Sequence, residues 1–105
     1  MTLCTDVADL GAFSCSDELF NKVQHMCRWS TISNLFSLPT DNPHREKNGW
    51  TGDAQLAAET GLWNFDARAG YLHYLRMLLD AQAPNGALPC IVPVAPGFGY
   101  GWGSG

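Results

Sequence analysis

Tyr71, Tyr74, Leu75, Leu78 and Leu79 stand at i, i+3, i+4, i+7 and i+8 of one stretch, which a helix gathers on a single face. An earlier run repeats the pattern: Leu19, Phe20, Val23, Met26 and Cys27 fall at helical spacing, and Ile32, Leu35 and Phe36 extend it up to Pro39. That run predicts a helix over residues 17–36, with Ser14 or Ser16 as its cap and Asp17 and Glu18 in its first turn. Residues 37–52 are polar and rich in turn formers, and a second helix is expected from Asp53 to about Trp63. Asn64 or Asp66 can cap the third helix, which Pro84-Asn85-Gly86 stops. The stretch Leu88–Val94 holds too much proline for a central strand. The fold class is therefore all-α, with about three helices. Residues 1–13 form an extended lead-in, 14–83 the helical part and 84–105 an irregular Gly/Pro-rich tail.

Hydrophobic residues make up 46% of the 105 and charged residues 15%, which is too apolar for intrinsic disorder. A net charge of −4 without any basic cluster argues against nucleic acid as a partner. No apolar run approaches the roughly 18 residues of a membrane span, so no membrane partner is expected. The first residues lack the cationic and apolar regions of a signal peptide. Cys4, Cys15, Cys27 and Cys90 have no Cys-x-x-Cys spacing, and His25, His44 and His73 are scattered, so neither metal nor cofactor is implied. Cys27, on an apolar helix face, reads as a buried thiol. Trp29 and Trp63, at helical spacing, read as core, as does the Tyr71/Tyr74 stripe. Four Trp, five Phe and three Tyr exceed what three short helices can cover. Such a chain, alone, is expected to self-associate.

Chemistry concentrates in Thr40-Asp41-Asn42-Pro43-His44-Arg45-Glu46-Lys47-Asn48-Gly49-Trp50-Thr51-Gly52-Asp53-Ala54-Gln55. Three carboxylates lie on one loop leading into a helix, beside an Arg and a Trp. Sugar sites need this combination, because carboxylates accept from hydroxyls while an indole stacks on the apolar face of a pyranose. A glycosidase further needs one carboxylic acid to protonate the leaving oxygen and a second carboxylate on the opposite face.

The run Asp41-x-Pro43-x-Arg45-Glu46-x-x-Gly49-Trp50-x-Gly52-Asp53-Ala54-Gln55 resembles the signature of bacterial α-L-rhamnosidases. Phe13–Asp17, Trp29-Ser30 with Asn34, Gly86–Pro89 and Trp102-Gly103 resemble flanking parts of the same family, so the likeness spans nearly the whole chain. The resemblance implies part of an (α/α)6 barrel and an inverting glycoside hydrolase. It implies Glu46 as general acid, Asp41 and Asp53 as ligands of rhamnose hydroxyls, Trp50 as a wall of that pocket and Arg45 as the group orienting a carboxylate. Carbohydrate is then the expected partner. Asn42 stands where the family often has cysteine, and His44 at a variable position. The family's general base is a glutamate further along than these 105 residues reach, so this chain alone is expected to be inactive.

Ordinary roles compete for each residue. Asp53 at a helix start can be a cap, Asp41 before Asn42-Pro43 a turn residue, and Glu46 beside Lys47 a solvated charge pair. Trp102, in the glycine-rich tail, is a weaker candidate for lining a cleft. Two alternatives to a rhamnosidase remain open at this point. One is an (α/α)6 glycosidase of other sugar specificity; the other is a non-catalytic helical module that binds sugars or assembles with itself.

Overall fold

The computed structural model describes residues 5–101, and Cys4 and Trp102 lie outside that range. Three helices account for its regular structure: α1 (Glu18–Ser33), α2 (Thr51–Asn64) and α3 (Arg68–Ala81). The all-α expectation holds.

The helix boundaries differ from the sequence reading for local reasons. The cap of α1 is Asp17 itself, whose carboxylate accepts from the Leu19 amide at 2.8 Å. Ser14 and Ser16 precede it. The helix stops at Ser33, three residues before the expected end, because a tight turn competes for the chain. The Asn34 side chain donates to the Ser30 carbonyl at 2.7 Å, Phe36 N donates to Leu38 O, and Thr40 N donates back to Asn34 O at 2.8 Å. Ser37 takes a left-handed φ of 62° to close that turn.

Helix α2 begins two residues before Asp53, and its cap position, Trp50, offers no side-chain bond. The Cys90 carbonyl does that work instead, accepting from Thr51 N at 3.0 Å and Thr51 Oγ1 at 3.2 Å. Helix α3 starts from Ala67 without a side-chain cap. Of the two caps expected there, Asn64 is the last residue of α2, and Asp66 pairs with Arg68 at 3.3 Å.

Burial is concentrated in two small clusters. Leu35, Phe65 and Ala67 pack with Val7, Ile32 and Tyr71; Ala54, Tyr74 and Val92 pack with Leu38, Met77 and Leu78. The molecule extends 52 × 30 × 25 Å, a shape too elongated to enclose a larger core. Helix α1 consequently buries none of its residues, and Leu19, Phe20, Met26 and Trp29 stay exposed. Trp63 is also exposed, against the expectation that both indoles belong to the core. The α3 stripe divides: Tyr74 is buried, whereas Leu75 and Leu79 face outward. Cys27, expected to be buried, is exposed, because the face of α1 that carries it looks onto a hollow rather than onto packed side chains.

Polar contacts hold α1 to the rest. The Arg28 guanidinium pairs with Asp9, donates to the carbonyls of Gly11 and Asn64 at 3.2 and 3.3 Å, and lies 4.7 Å over the Phe65 ring. Gln24 donates to the Asn64 side-chain oxygen at 2.7 Å. The lead-in runs along the same junction, with Leu10 N donating to Asn64 O and Asp66 N to Ala8 O.

The tail is irregular, as expected, but its residues 89–92 are the best buried segment among the described residues. Cys90 is 0% exposed, and Pro89, Ile91 and Val92 are buried with it. An antiparallel bridge joins Ile91 to Trp50, and Val92 N donates to Gly49 O at 2.9 Å. These bonds lay the segment against the loop that carries the motif.

Candidate functional site

The motif loop is folded by its own polar residues. Asp41 and Asn48 close it: Asp41 N donates to Asn48 O at 3.0 Å, and Asn48 N donates to Asp41 Oδ1 at 2.9 Å. Within that closure the Asn42 carbonyl accepts from the amides of Arg45, Glu46 and Lys47 at 3.3, 3.1 and 3.2 Å. The Asn42 side chain accepts from His44 N at 3.0 Å. Lys47, at φ 56°, turns the chain back toward Gly49. Gly49 has to be glycine for a different reason: a Cβ there would sit on the Val92 carbonyl and against Leu38. The Gly49 carbonyl also accepts from the Tyr74 hydroxyl at 2.9 Å, so a buried side chain of α3 holds the loop from below.

Asp41 and Asp53 line one hollow of about 450 Å³, within the size range of small-ligand pockets. One oxygen of Asp41 is spent on the loop, and the residue is half-buried. Asp53 sits in the first turn of α2, where the helix dipole favours its charge, and its carboxylate accepts no hydrogen bond among the described residues. It is not the cap of that helix. Burial, and secondly the negative charge of Asp53, push the Tyr74 hydroxyl up to about 12 from the usual 10.0. Burial raises the Tyr71 hydroxyl too, and Tyr71 is part of the pocket floor.

The opposite wall comes from α1. Cys27, Thr31 and Asn34 occur at i, i+4 and i+7 and line the same hollow. The Oδ1 of Asn34 is buried and has no hydrogen-bond partner among the described residues. The sequence reading missed these three as pocket residues. The signal was present as a polar stripe beside the apolar one, but nothing in the chain says which stripe looks toward the motif loop.

Glu46, Trp50 and Arg45 do not line that hollow. Glu46 is exposed, and its Oε2 accepts from the Trp50 indole N–H at 3.3 Å. Trp50, half-buried, meets the Phe98 ring edge to face, with centroids 5.2 Å apart and planes at 80°. Arg45 is exposed and forms no ion pair with any described residue. The site thus has two parts on the loop and the start of α2: a carboxylate-lined hollow at Asp41 and Asp53, and an acid held by an indole at Glu46.

Comparison with known proteins places this arrangement in a family. The model of the bacterial alpha-L-rhamnosidase 6 hairpin glycosidase domain matches residues 8–104. The chain belongs to that family. An alpha-L-rhamnosidase of Formosa agariphila is 38% identical over 102 residues, covering 90% of this chain and 11% of that protein. An alpha-L-rhamnosidase of Streptomyces avermitilis is 33% identical over 95 residues, covering 87% of this chain and 9% of its own length. Among solved structures, the alpha-L-rhamnosidase from Dictyoglumus thermophilum superposes with a TM-score of 0.83 at 47% identity, over 86% of this chain and 10% of that one. The Streptomyces avermitilis enzyme, solved in complex with L-rhamnose, superposes at 0.88 with 30% identity, over 91% of this chain and 9% of that one. The chain spans about a tenth of the length of the relatives it matches. The three helices are therefore part of an all-α six-hairpin glycosidase domain.

Proposed function

We propose that the protein to which these residues belong is an α-L-rhamnosidase that cleaves terminal α-L-rhamnosides with inversion. On this reading residues 1–105 are one continuous piece of its catalytic domain, bearing the acid but not the base. The observation that carries the proposal is that Asp41 of the loop and Asp53 of the α2 start face one hollow while Glu46 is held at the Trp50 indole. Relatives that superpose over this same region are alpha-L-rhamnosidases, and one of them is a complex with L-rhamnose.

In the proposed reaction Asp41 and Asp53 accept hydrogen bonds from ring hydroxyls of the rhamnose and fix its orientation. Trp50 gives the acid a fixed place beside the pocket, and Arg45 supplies positive charge next to it. Glu46, carrying its proton, donates it to the glycosidic oxygen as the bond from that oxygen to the anomeric carbon breaks. A second carboxylate, supplied by chain beyond these residues, takes a proton from water as the water oxygen bonds to the anomeric carbon on the far face. Inverting enzymes hold the two carboxyls roughly 6.5–9.5 Å apart to admit that water. The products are L-rhamnose of inverted anomeric configuration and the free alcohol.

The 105-residue chain alone is proposed to be inactive and to associate with a second copy. Support comes from α1, whose Leu19, Phe20 and Met26 are exposed on a helix that buries nothing. A monomer by light scattering would remove that part of the proposal. The function itself is tested by supplying the full-length protein with aryl α-L-rhamnoside and a panel of other aryl glycosides. Proton NMR then follows the first anomer released. Release of L-rhamnose with inversion is expected. Hydrolysis of another glycoside in its place would move the specificity, and silence on every glycoside would leave a binding role.

A further inference from the structure

Phe98 is not part of the motif, yet it touches the centre of it. Its ring meets the Trp50 indole edge to face at 5.2 Å, inside the range of about 4.5–7 Å for aromatic pairs, and that indole donates to Glu46 at 3.3 Å. We infer that Phe98 is a positioning residue for the proton donor Glu46, acting through the Trp50 indole. The inference rests on the proposed role of Glu46 as general acid.

The backbone around Phe98 is built to deliver this contact. Gly97 and Gly99 both take positive φ, 94° and 61°, so the chain turns on either side of the ring. Gly99 O accepts from Cys90 N at 3.0 Å, anchoring the turn to the buried 89–92 segment. That segment is in turn bonded to the motif loop at Gly49, Trp50 and Thr51. Phe98 and Trp50 are thus referenced to one buried strip of backbone, although 48 positions separate them in the chain. The indole has two neighbours that fix its orientation: Glu46 accepts its N–H, and Phe98 packs against its ring. Removing Phe98 takes away the ring that packs against the indole, so both the indole and the exposed carboxylate it holds gain rotamers. A donor that samples several positions protonates the leaving oxygen less often, while the rhamnose ligands Asp41 and Asp53 are untouched.

Phe98 is itself 48% exposed, so its truncation opens no cavity and is compatible with a folded protein. The test uses the full-length protein and two substrates. One is an alkyl α-L-rhamnoside, whose leaving group needs the proton; the other is dinitrophenyl α-L-rhamnoside, whose leaving group departs without it. Phe98→Ala should cut turnover of the alkyl substrate by about tenfold while the dinitrophenyl substrate stays within about twofold. That is well short of the roughly 10²–10⁴-fold worth of an acid group. Phe98→Tyr, which keeps the ring, should return the ratio of the two rates to that of the parent. Glu46→Gln, run beside them, should show the same bias more strongly. Equal losses on both substrates in Phe98→Ala, or no loss on either, would overturn the inference; a retained bias in Glu46→Gln would then leave the acid assignment standing. No bias in Glu46→Gln would overturn both together.

Discussion

Helix α1 and the segment 89–92 are opposites. The helix has a regular apolar stripe, a side-chain cap and 16 residues, yet buries none of them. The segment has no periodicity and two prolines at its borders, and yet Cys90 is fully buried, with Ile91 and Val92 at 2% and 1% exposure. The difference lies in what each faces. Leu19, Phe20, Val23 and Met26 of the α1 stripe stay exposed and Ile32 packs only partly buried on one cluster, whereas the segment is bonded to the motif loop at Gly49, Trp50 and Thr51. A helical stripe predicts conformation; burial depends on a partner, which the stripe does not name.

The comparison breaks most sharply at Gly49. Gly49→Ala drives a methyl into the Val92 carbonyl, a backbone atom that cannot move aside without releasing the segment. A local cost of roughly 3 kcal/mol or more is expected, as for severe overpacking. Hydrogen exchange should report it as lost protection of the Val92 and Thr51 amides, while α1 amides hold. Unchanged protection at Val92 would mean that the segment is not fixed through this contact.

A smaller effect is expected from below the loop. Tyr74→Phe removes the bond to the Gly49 carbonyl, which keeps its second bond from Val92 N, at a cost of about 0.5–1.5 kcal/mol. The same hydroxyl gives a pH signature. Its folded value is raised to about 12 from 10.0, so folding favours the protonated form. Its contribution is fully present below pH 10 and is lost as pH rises toward 12. The Tyr74→Phe variant should lack this alkaline component, and identical alkaline profiles would contradict the assignment.

The smallest effect belongs to α1. Leu19→Ser, at a side chain 65% exposed, should shift α1 stability in the 105-residue chain by less than about 0.5 kcal/mol. In the protein extended to the length of its relatives the same change should cost about 2 kcal/mol, because further hairpins then cover the face. Equal effects in both would mean that α1 remains uncovered in the longer protein.

Much of the fold was legible in the sequence. Helices α1 and α3 lie where the apolar periodicity put them, because that spacing is a local property, and α2 lies where the turn-rich loop before it left room for a helix. Their ends were less legible. The turn at Asn34 and Ser37 and the Cys90 carbonyl on Thr51 decided two of them, and both depend on residues brought together by tertiary structure. The burial of Trp29, Trp63 and Cys27 was misread for the same reason. In the site, the motif named Asp41 and Asp53, and these share a hollow; Glu46 and Trp50 pair beside it. Cys27, Thr31, Asn34 and Phe98 were illegible as site residues, since each reaches the motif across the chain rather than along it.

The central claim is that Glu46 donates the proton while Asp41 and Asp53 hold the sugar. It is tested most directly in full-length Glu46→Gln, by measuring turnover of an alkyl α-L-rhamnoside beside the dissociation constant for L-rhamnose. Turnover lower by about 10²–10⁴-fold is expected, with affinity for L-rhamnose within about twofold of the parent. Turnover that survives the substitution would contradict the claim.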